Sequence, residues 1–376
     1  MKKMITGMIL LMMLIVSACS NANQAGDSNT NDGSQPDQGS ANSGNLKVVL
    51  LVPGTLGDKS FFDAANAGLT KVHDMLGAET KVIEMGADET KWEPTFNDIA
   101  SQNWDVIISG GSQITELLND VASRNPDKKF INYDTDIEDT AENVHAISYA
   151  TNEVSFLAGA AAALISTSDM PNANPDQTIG FVGGMDIPGI NTFLVGYIEG
   201  AKYVDPDIKV AISYAGNFVN PAKGKELSLL QYNAGADVIF SVAGGTGLGV
   251  FDAAKEKQKY AIGVDSDQSA MIMDTDSEKA NLIVTSAIKK IDEAIFNAVA
   301  ELQKGTLEMG KFKVVGFNES GVALAENNVY NSVVSEAVRA EVAKIKEQIA
   351  TGQIEISNAL HMDTAQIDAL RNSVKP

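Results

Sequence analysis

Asp134 and Asp265 each end a short apolar run, FINYDT and YAIGVDS. Each run follows a helix-like segment and, before it, a nearly repeated phrase, DVIISGG at Asp105 to Gly111 and DVIFSVAGG at Asp237 to Gly245. The spacings agree within one residue: 29 from Asp105 to Asp134 and 28 from Asp237 to Asp265. A carboxylate at a strand's C-terminal end can accept paired hydrogen bonds from hydroxyl or N–H groups of a small molecule. Two βαβ halves with such acids in matching places would turn both toward one crevice, because open α/β sheets bind ligands beside the C-terminal ends of their strands. Buried strands rich in Val and Ile often look alike, so the repeat by itself leaves coincidence open. Catalysis finds less support. His73, His145 and His361 are scattered, with no metal spacing or nucleophile motif around them, and read as structural or exposed.

Other residues have types suited to the same crevice. In GDKSFFDAANAGL, Ser60 and Asp63 resemble a capping box, which predicts a helix start there. The apolar stripe Phe62, Ala65, Leu69, Val72, Leu76 claims Phe62 for the core. Phe61 is left off the stripe, at a helix N-terminus, where a ring can stack on a flat ligand or simply extend the core. Asp58 is either an acceptor for that ligand or a turn residue. Phe218 precedes Asn220 and Pro221, a natural N-cap and first helical position. One loop phenylalanine per half could sandwich a planar base. The run GGTGLG follows a strand and opens a helix, with Asp265 20 residues past Gly245 and Val250 where a dinucleotide fingerprint has its third glycine. It is a tight turn, a place where backbone N–H groups near Gly245 approach a ligand, or, remotely, part of a dinucleotide enzyme. Lys289 follows LIVTS in what reads as the first turn of a helix with the stripe Ile288, Ile291, Ile295, Val299, Leu302. A cation there opposes the helix dipole, so either a ligand acceptor or Asp265 favours it or it is a solvated surface lysine.

The elements that must position these residues alternate along the chain. LKVVLLVPG, TKVIEMG, WDVIISGG and KKFINYDT read as strands, with helices near Ser60 to Leu76, Trp92 to Ser101 and Gln113 to Ser123. The pattern resumes with QTIGFVGG, DIKVAISYAG, DVIFSVAGG and KYAIGVDS. Between the halves, NEVSFLAGAAAALIS reads as a buried, Ala-rich helix. Continuous apolar strands alternating with helices predict an α/β protein of two Rossmann-like lobes with parallel sheets covered on both faces. A length of 376 residues and a hydrophobic fraction of 44% suit two such lobes. The formal charge of -21 argues against nucleic acid, whose phosphates need a cationic surface.

The N-terminus, MKKMITGMILLMMLIVSACS, has the layout of an export signal: two lysines, an apolar run, then small residues before Cys19. Cys19 is the only cysteine, which leaves no internal disulfide or cysteine-based zinc site. Val16 to Cys19 resemble a bacterial lipobox, in which the signal is cut before the cysteine and the thiol carries lipid. From Ser20 to Asn45 there is no Ile, Leu, Val, Met or aromatic residue, so residues 19–45 read as a flexible tether behind a signal peptide of residues 1–18.

GDKSFFD, PDKKFINYDT, NEVSFLAGAAAAL, IGFVGGMDIPGI, NPAKGKEL, GADVIFSVAGGTGLGVF, YAIGVDSDQ and TSAIKKID together resemble the basic membrane protein family of ABC-transporter substrate-binding lipoproteins, which includes purine nucleoside receptors. The resemblance implies a type I periplasmic-binding-protein architecture, with lobe one at 46–150 plus 267–317, lobe two at 151–266 plus 318–376, and a hinge between them. It implies that Phe61 and Phe218 hold a base, that Asp58 and Asp134 bond it from the first lobe, and that Asp265 and Lys289 hold the ribose, helped by backbone near Gly245. Phe62 stands where many nucleoside-binding relatives carry Asn, and SAIKK replaces the commoner Met-Leu before the lysine. The implied protein is a monomeric binder, not an enzyme, without a cofactor. It would be lipid-anchored through Cys19 on the extracytoplasmic face of the cell membrane, and would deliver a purine nucleoside to an ABC permease. A same-fold receptor for a sugar or other metabolite, and a surface lipoprotein that does not serve transport, remain the alternatives.

Overall fold

The computed structural model describes residues 45–376. The signal segment, Cys19 and all of the tether but its last residue lie outside the described residues. The first strand, β1 (Lys47–Val52), shows why the sheets form: Val48, Leu50 and Val52 pack on one face with Ala65, Leu69 and Val72, while Val49 and Leu51 pack on the other with Phe96 and Ile107. A strand buried on both faces has no polar alternation to show. The chain continues through α1 (Phe61–Leu76), β2 (Glu79–Glu84), α2 (Trp92–Ser101), β3 (Val106–Ser109), α3 (Thr115–Arg124), β4 (Lys129–Asn132) and β5 (Val144–Tyr149). It then crosses to α4 (Thr151–Ser166), β6 (Thr178–Gly183), α5 (Pro188–Val204), β7 (Lys209–Tyr214), α6 (Pro221–Asn233), β8 (Ala236–Val242), α7 (Leu248–Lys257) and β9 (Tyr260–Asp265). Two short helices, α8 (Gln268–Met273) and α9 (Ser277–Ala280), lead to β10 (Ile283–Lys289). After them come α10 (Ile291–Gln303), β11 (Lys311–Val315), β12 (Val322–Leu324), α11 (Asn328–Val333), α12 (Glu336–Ala350) and α13 (Thr364–Ser373).

The strand orders are β11-β5-β4-β3-β1-β2 and β12-β10-β9-β8-β6-β7. Leaving out the edge strands β11 and β12, the two orders match strand for strand, and the repeated phrases occupy equivalent strands, β3 and β8. All pairings in the first sheet are parallel; in the second, β12 runs antiparallel to β10, which departs from the purely parallel expectation.

The expected lobe boundary also moves. Residues 267–289 were assigned to the first lobe, but β10 pairs with β9 and so belongs to the second sheet. The reason is the repeat itself: β10 is the counterpart of β5, a fifth strand that each half needs before the chain can leave. Only from α10, which packs against α1, does the chain return to the first sheet.

At the end of the second sheet away from its acid, Asp237 is fully buried near the start of β8. Its Oδ2 accepts the Asn174 N–H at 2.9 Å, while its Oδ1 has no donor among the described residues. Burial pushes its carboxyl up to about 6. A carboxylate whose folded pKa is raised contributes stability below its unfolded value, about 3.9, and loses it as pH rises through the folded value. Asp237→Asn keeps an oxygen for the Asn174 N–H and removes the charge. It is expected to raise stability by about 1–3 kcal/mol at pH 7.5, with the gain shrinking toward pH 4. Urea midpoints at the two pH values check this; a lower midpoint at pH 7.5 would refute it.

Candidate ligand-binding site

A cavity of about 280 Å³ lies between the C-terminal ends of the two sheets. That is close to the lower bound of small-molecule pockets, roughly 300 Å³. Asp58, Phe61, Asp134, Phe218, Gly245, Asp265 and Lys289 all line it. The chain brings every expected ligand-contact residue to one place.

Its floor is ionic. Lys289 is only 5% exposed, and its Nζ donates to Asp134 Oδ2 at 2.9 Å and lies 3.1 Å from Asp265 Oδ1. Burial works against the ammonium, yet Asp134 and Asp265 outweigh it and hold its pKa above the ordinary lysine value. Burial raises the Asp134 carboxyl, and Lys289 pulls it partway back. Asp265 takes a left-handed backbone, φ 63°, a conformation that Asp tolerates better than most residues and that clusters at functional sites. The reading of Lys289 in a first helical turn is corrected: it ends β10, and α10 begins only at Ile291. Ile291, Ile295 and Val299 are the buried stripe of α10 as expected, and only Ile288 was wrongly joined to it, since it lies in the extended run of β10. Tyr149 ends the equivalent strand of the first sheet. It also lines the cavity, with the Lys289 ammonium 5.8 Å from its ring centre and its own hydroxyl unpartnered among the described residues.

The N-terminus of α1 forms one wall. Here the capping expectation fails, because the Ser60 side chain does not cap the helix. Asp58 takes that role: its Oδ1 accepts the N–H groups of Ser60 and Asp63 at 3.0 and 3.1 Å, and its Oδ2 accepts that of Phe62 at 3.0 Å. Asp63 turns back to accept from Gly57 and Lys59. Burial raises the Asp58 carboxyl to about 6, against the pull of those three N–H groups. Ser60 is thereby free to cross the cleft, where its Oγ donates to Asp265 Oδ2 at 2.6 Å. Ser266 Oγ returns a bond to Ser60 O at 3.2 Å. Near the other lip, a Cβ on Gly189 would come within 2.8 Å of Ser112 Oγ. The two sheets' loops thus touch on both sides of the cavity.

Aromatic rings supply the rest. Phe61 packs against Phe62 and Tyr133, with ring centres 5.4 and 5.3 Å away, and Lys289 Nζ sits 4.6 Å from its centre. Phe62 was expected in the core; it packs against the core's edge, half-buried over Gly54, and also lines the cavity beside Phe61. The buried residues of the stripe are Ala65, Leu69 and Val72. Phe218 is half-buried and lies against Gly184, where any Cβ would strike its ring. In GGTGLG, Gly249 lets α7 meet the Pro221 carbonyl of α6, and Gly245 brings its backbone near Phe218 O and Asp58. The role of Gly249 is helix packing, which a loose glycine match does not distinguish from phosphate binding. Sequence reasoning missed Phe62, Tyr149, Thr192, Phe193 and Asn358 as lining residues. Only Phe62 carried a signal, its place beside Phe61.

Comparison with known proteins agrees with this geometry. A family model described as "ABC transporter substrate-binding protein PnrA-like" matches residues 45–357. The chain is 30% identical over 324 residues to the CD4+ T-cell-stimulating antigen of Listeria monocytogenes, covering 82% of this chain and 87% of that protein. It is 30% identical over 325 residues to the ABC transporter nucleoside-binding protein BmpA of Lactococcus lactis, covering 83% and 89%. Among solved structures it resembles an ABC transporter solute-binding protein from Aeropyrum pernix, with a TM-score of 0.75 and 24% identity over 87% of this chain and 98% of that one. On this match, and with two lobes of six strands opening on one cavity, the chain belongs to the PnrA-like family of ABC transporter substrate-binding proteins, which bind solutes and are not enzymes.

Proposed function

We propose that this protein captures a purine nucleoside between its lobes and presents it to an ABC permease, held to the outer face of the membrane by lipid on Cys19. The observation that carries the ligand is the division of the cavity into an aromatic part (Phe61, Phe62, Phe218) and an ionic part (Asp134, Lys289, Asp265). A nucleoside has the same division, a flat base and a hydroxylated sugar. Rings stack on the base, while carboxylates accept from ribose hydroxyls and the ammonium donates to their oxygens. Asp58 has four lone-pair sites and gives three to the helix, which leaves one for a base N–H. The 30% identity to a relative named as nucleoside-binding supports the same reading. No helix among the described residues is long and apolar enough to cross a membrane.

Titration calorimetry with adenosine, guanosine, inosine, cytidine and ribose tests the ligand class. Phe218→Ala is expected to weaken nucleoside binding by about 1–3 kcal/mol, the scale of lost base stacking, and to leave ribose unaffected. Phe218 is the sharper choice because Phe61 already packs on Tyr133 and Lys289. Unchanged nucleoside affinity in a folded variant, or binding of ribose alone by the wild type, would overturn the reading.

A further inference from the structure

The C-terminal segment folds back onto α5 and reaches the cavity at Asn358 and Leu360. The family match ends at residue 357, just before them. Val195 with Ala359 and Ile367 forms a small apolar cluster under the segment. Glu199 accepts the Ser357 N–H at 2.9 Å, and Val210 N donates to Val374 O at 2.8 Å at the far end. Arg371 Nη2 lies 2.7 Å from Asp186 Oδ1, 2.9 Å from Asn191 Oδ1 and 2.8 Å from the Tyr214 hydroxyl. It ties the tail to the loop after β6, whose Ile187 lines the cavity together with Gly189 in the first turn of α5. Asn358 is therefore held from both sides.

Its amide orientation is determined by its neighbours. The Leu360 backbone N–H can only donate, so the Asn358 atom 3.0 Å away is the carbonyl oxygen. Thr192 Oγ1 lies 3.4 Å from that same oxygen. The NH2 has no acceptor among the described residues, on a side chain that lines the cavity. Every other charged or amide side chain at the site offers carboxylate oxygens or an ammonium, except Gln113 at its rim.

We propose that Asn358 is a specificity-determining contact whose NH2 donates to an acceptor atom of the ligand, on a purine a ring nitrogen or an exocyclic oxygen. This rests on the nucleoside reading for the identity of the acceptor, not for the role of the donor. Asn358→Asp is the discriminating variant. Aspartate keeps an oxygen for the Leu360 N–H and is a good N-cap, but it has no NH2. Calorimetry compares wild type and N358D with adenosine, guanosine, inosine and ribose, and with adenosine analogues in which one ring nitrogen is replaced by carbon. The expected result is about tenfold or greater loss of nucleoside affinity with an unchanged unfolding midpoint of the ligand-free protein. One analogue should also bind wild type poorly, and that penalty should disappear in N358D, as coupled partners require. Equal affinities in both proteins, or strictly additive losses, would overturn the proposal. If ribose alone binds the wild type, the nucleoside reading falls, and the same comparison made with ribose still decides the role of Asn358.

Discussion

Lys289→Met is expected to destabilise the folded protein by about 3–5 kcal/mol at pH 7.5, the scale of breaking a buried ion pair by removing one partner. Methionine fills similar volume, so the loss comes from charge. Without the ammonium, Asp134 and Asp265 face one another in a buried site, and Asp134 already has a raised pKa because of burial. The folded pKa of Asp134 should then climb further. The stability a raised carboxylate contributes is present below its unfolded value, about 3.9, and lost as pH rises through the folded value. The penalty of K289M should therefore be greatest at neutral pH and shrink as pH falls toward 4. Urea unfolding of both proteins across that range is the measurement, and a penalty independent of pH would show that packing, not charge, was lost. Binding should fail as well. The Asp134 contact joins the first sheet to the second, while the Asp265 contact stays within the second, so one lysine both closes the cleft and holds its floor.

The two aspartates could be read from the sequence because a repeat with a fixed spacing puts equivalent residues at equivalent strand ends, and open sheets gather those ends. Phe218 was legible because a large ring stood in a polar connection with no packing stripe to claim it. Asp58 was recognised as a site residue but its work was misassigned: Ser60 and Asp63 had the spacing of a capping box, and only the fold shows Ser60 drawn across to Asp265. Tyr149 and Phe193 left no trace because they sit in buried apolar stretches, where a ring at the cavity edge looks like any core ring. Asn358 depended on a tail folding back on α5, a contact between segments far apart in the chain. Residues 267–289 went to the wrong lobe because the repeat was followed only as far as its acids and not to the fifth strand of each half.

Gly200→Ala is expected to destabilise the protein by about 2–3 kcal/mol, opposite in sign to its usual effect. In a helix interior, Gly→Ala ordinarily adds roughly 0.5–1 kcal/mol, since alanine loses less backbone entropy on folding. Here α4 and α5 cross backbone to backbone. A Cβ on Gly200 would strike the Phe156 carbonyl, one on Gly159 the Tyr197 carbonyl, and one on Gly196 would come within 2.5 Å of the Asn152 carbonyl. A side chain in such a position can rotate away, but a helix carbonyl cannot, so the helices must move apart. Almost all of α4 is buried, and Ser155 Oγ is bonded to the Phe193 carbonyl, so separation disturbs packing along both helices. The ligand site feels it too, because Thr151 at the start of α4 and Thr192 and Phe193 near the start of α5 line the cavity. Nucleoside affinity should fall along with the unfolding midpoint, and the loss of stability should be the same at pH 5 and pH 7.5, unlike that of K289M. A raised midpoint would mean that helix propensity outweighs the collision, and that the close crossing does not set the position of the cleft's second wall.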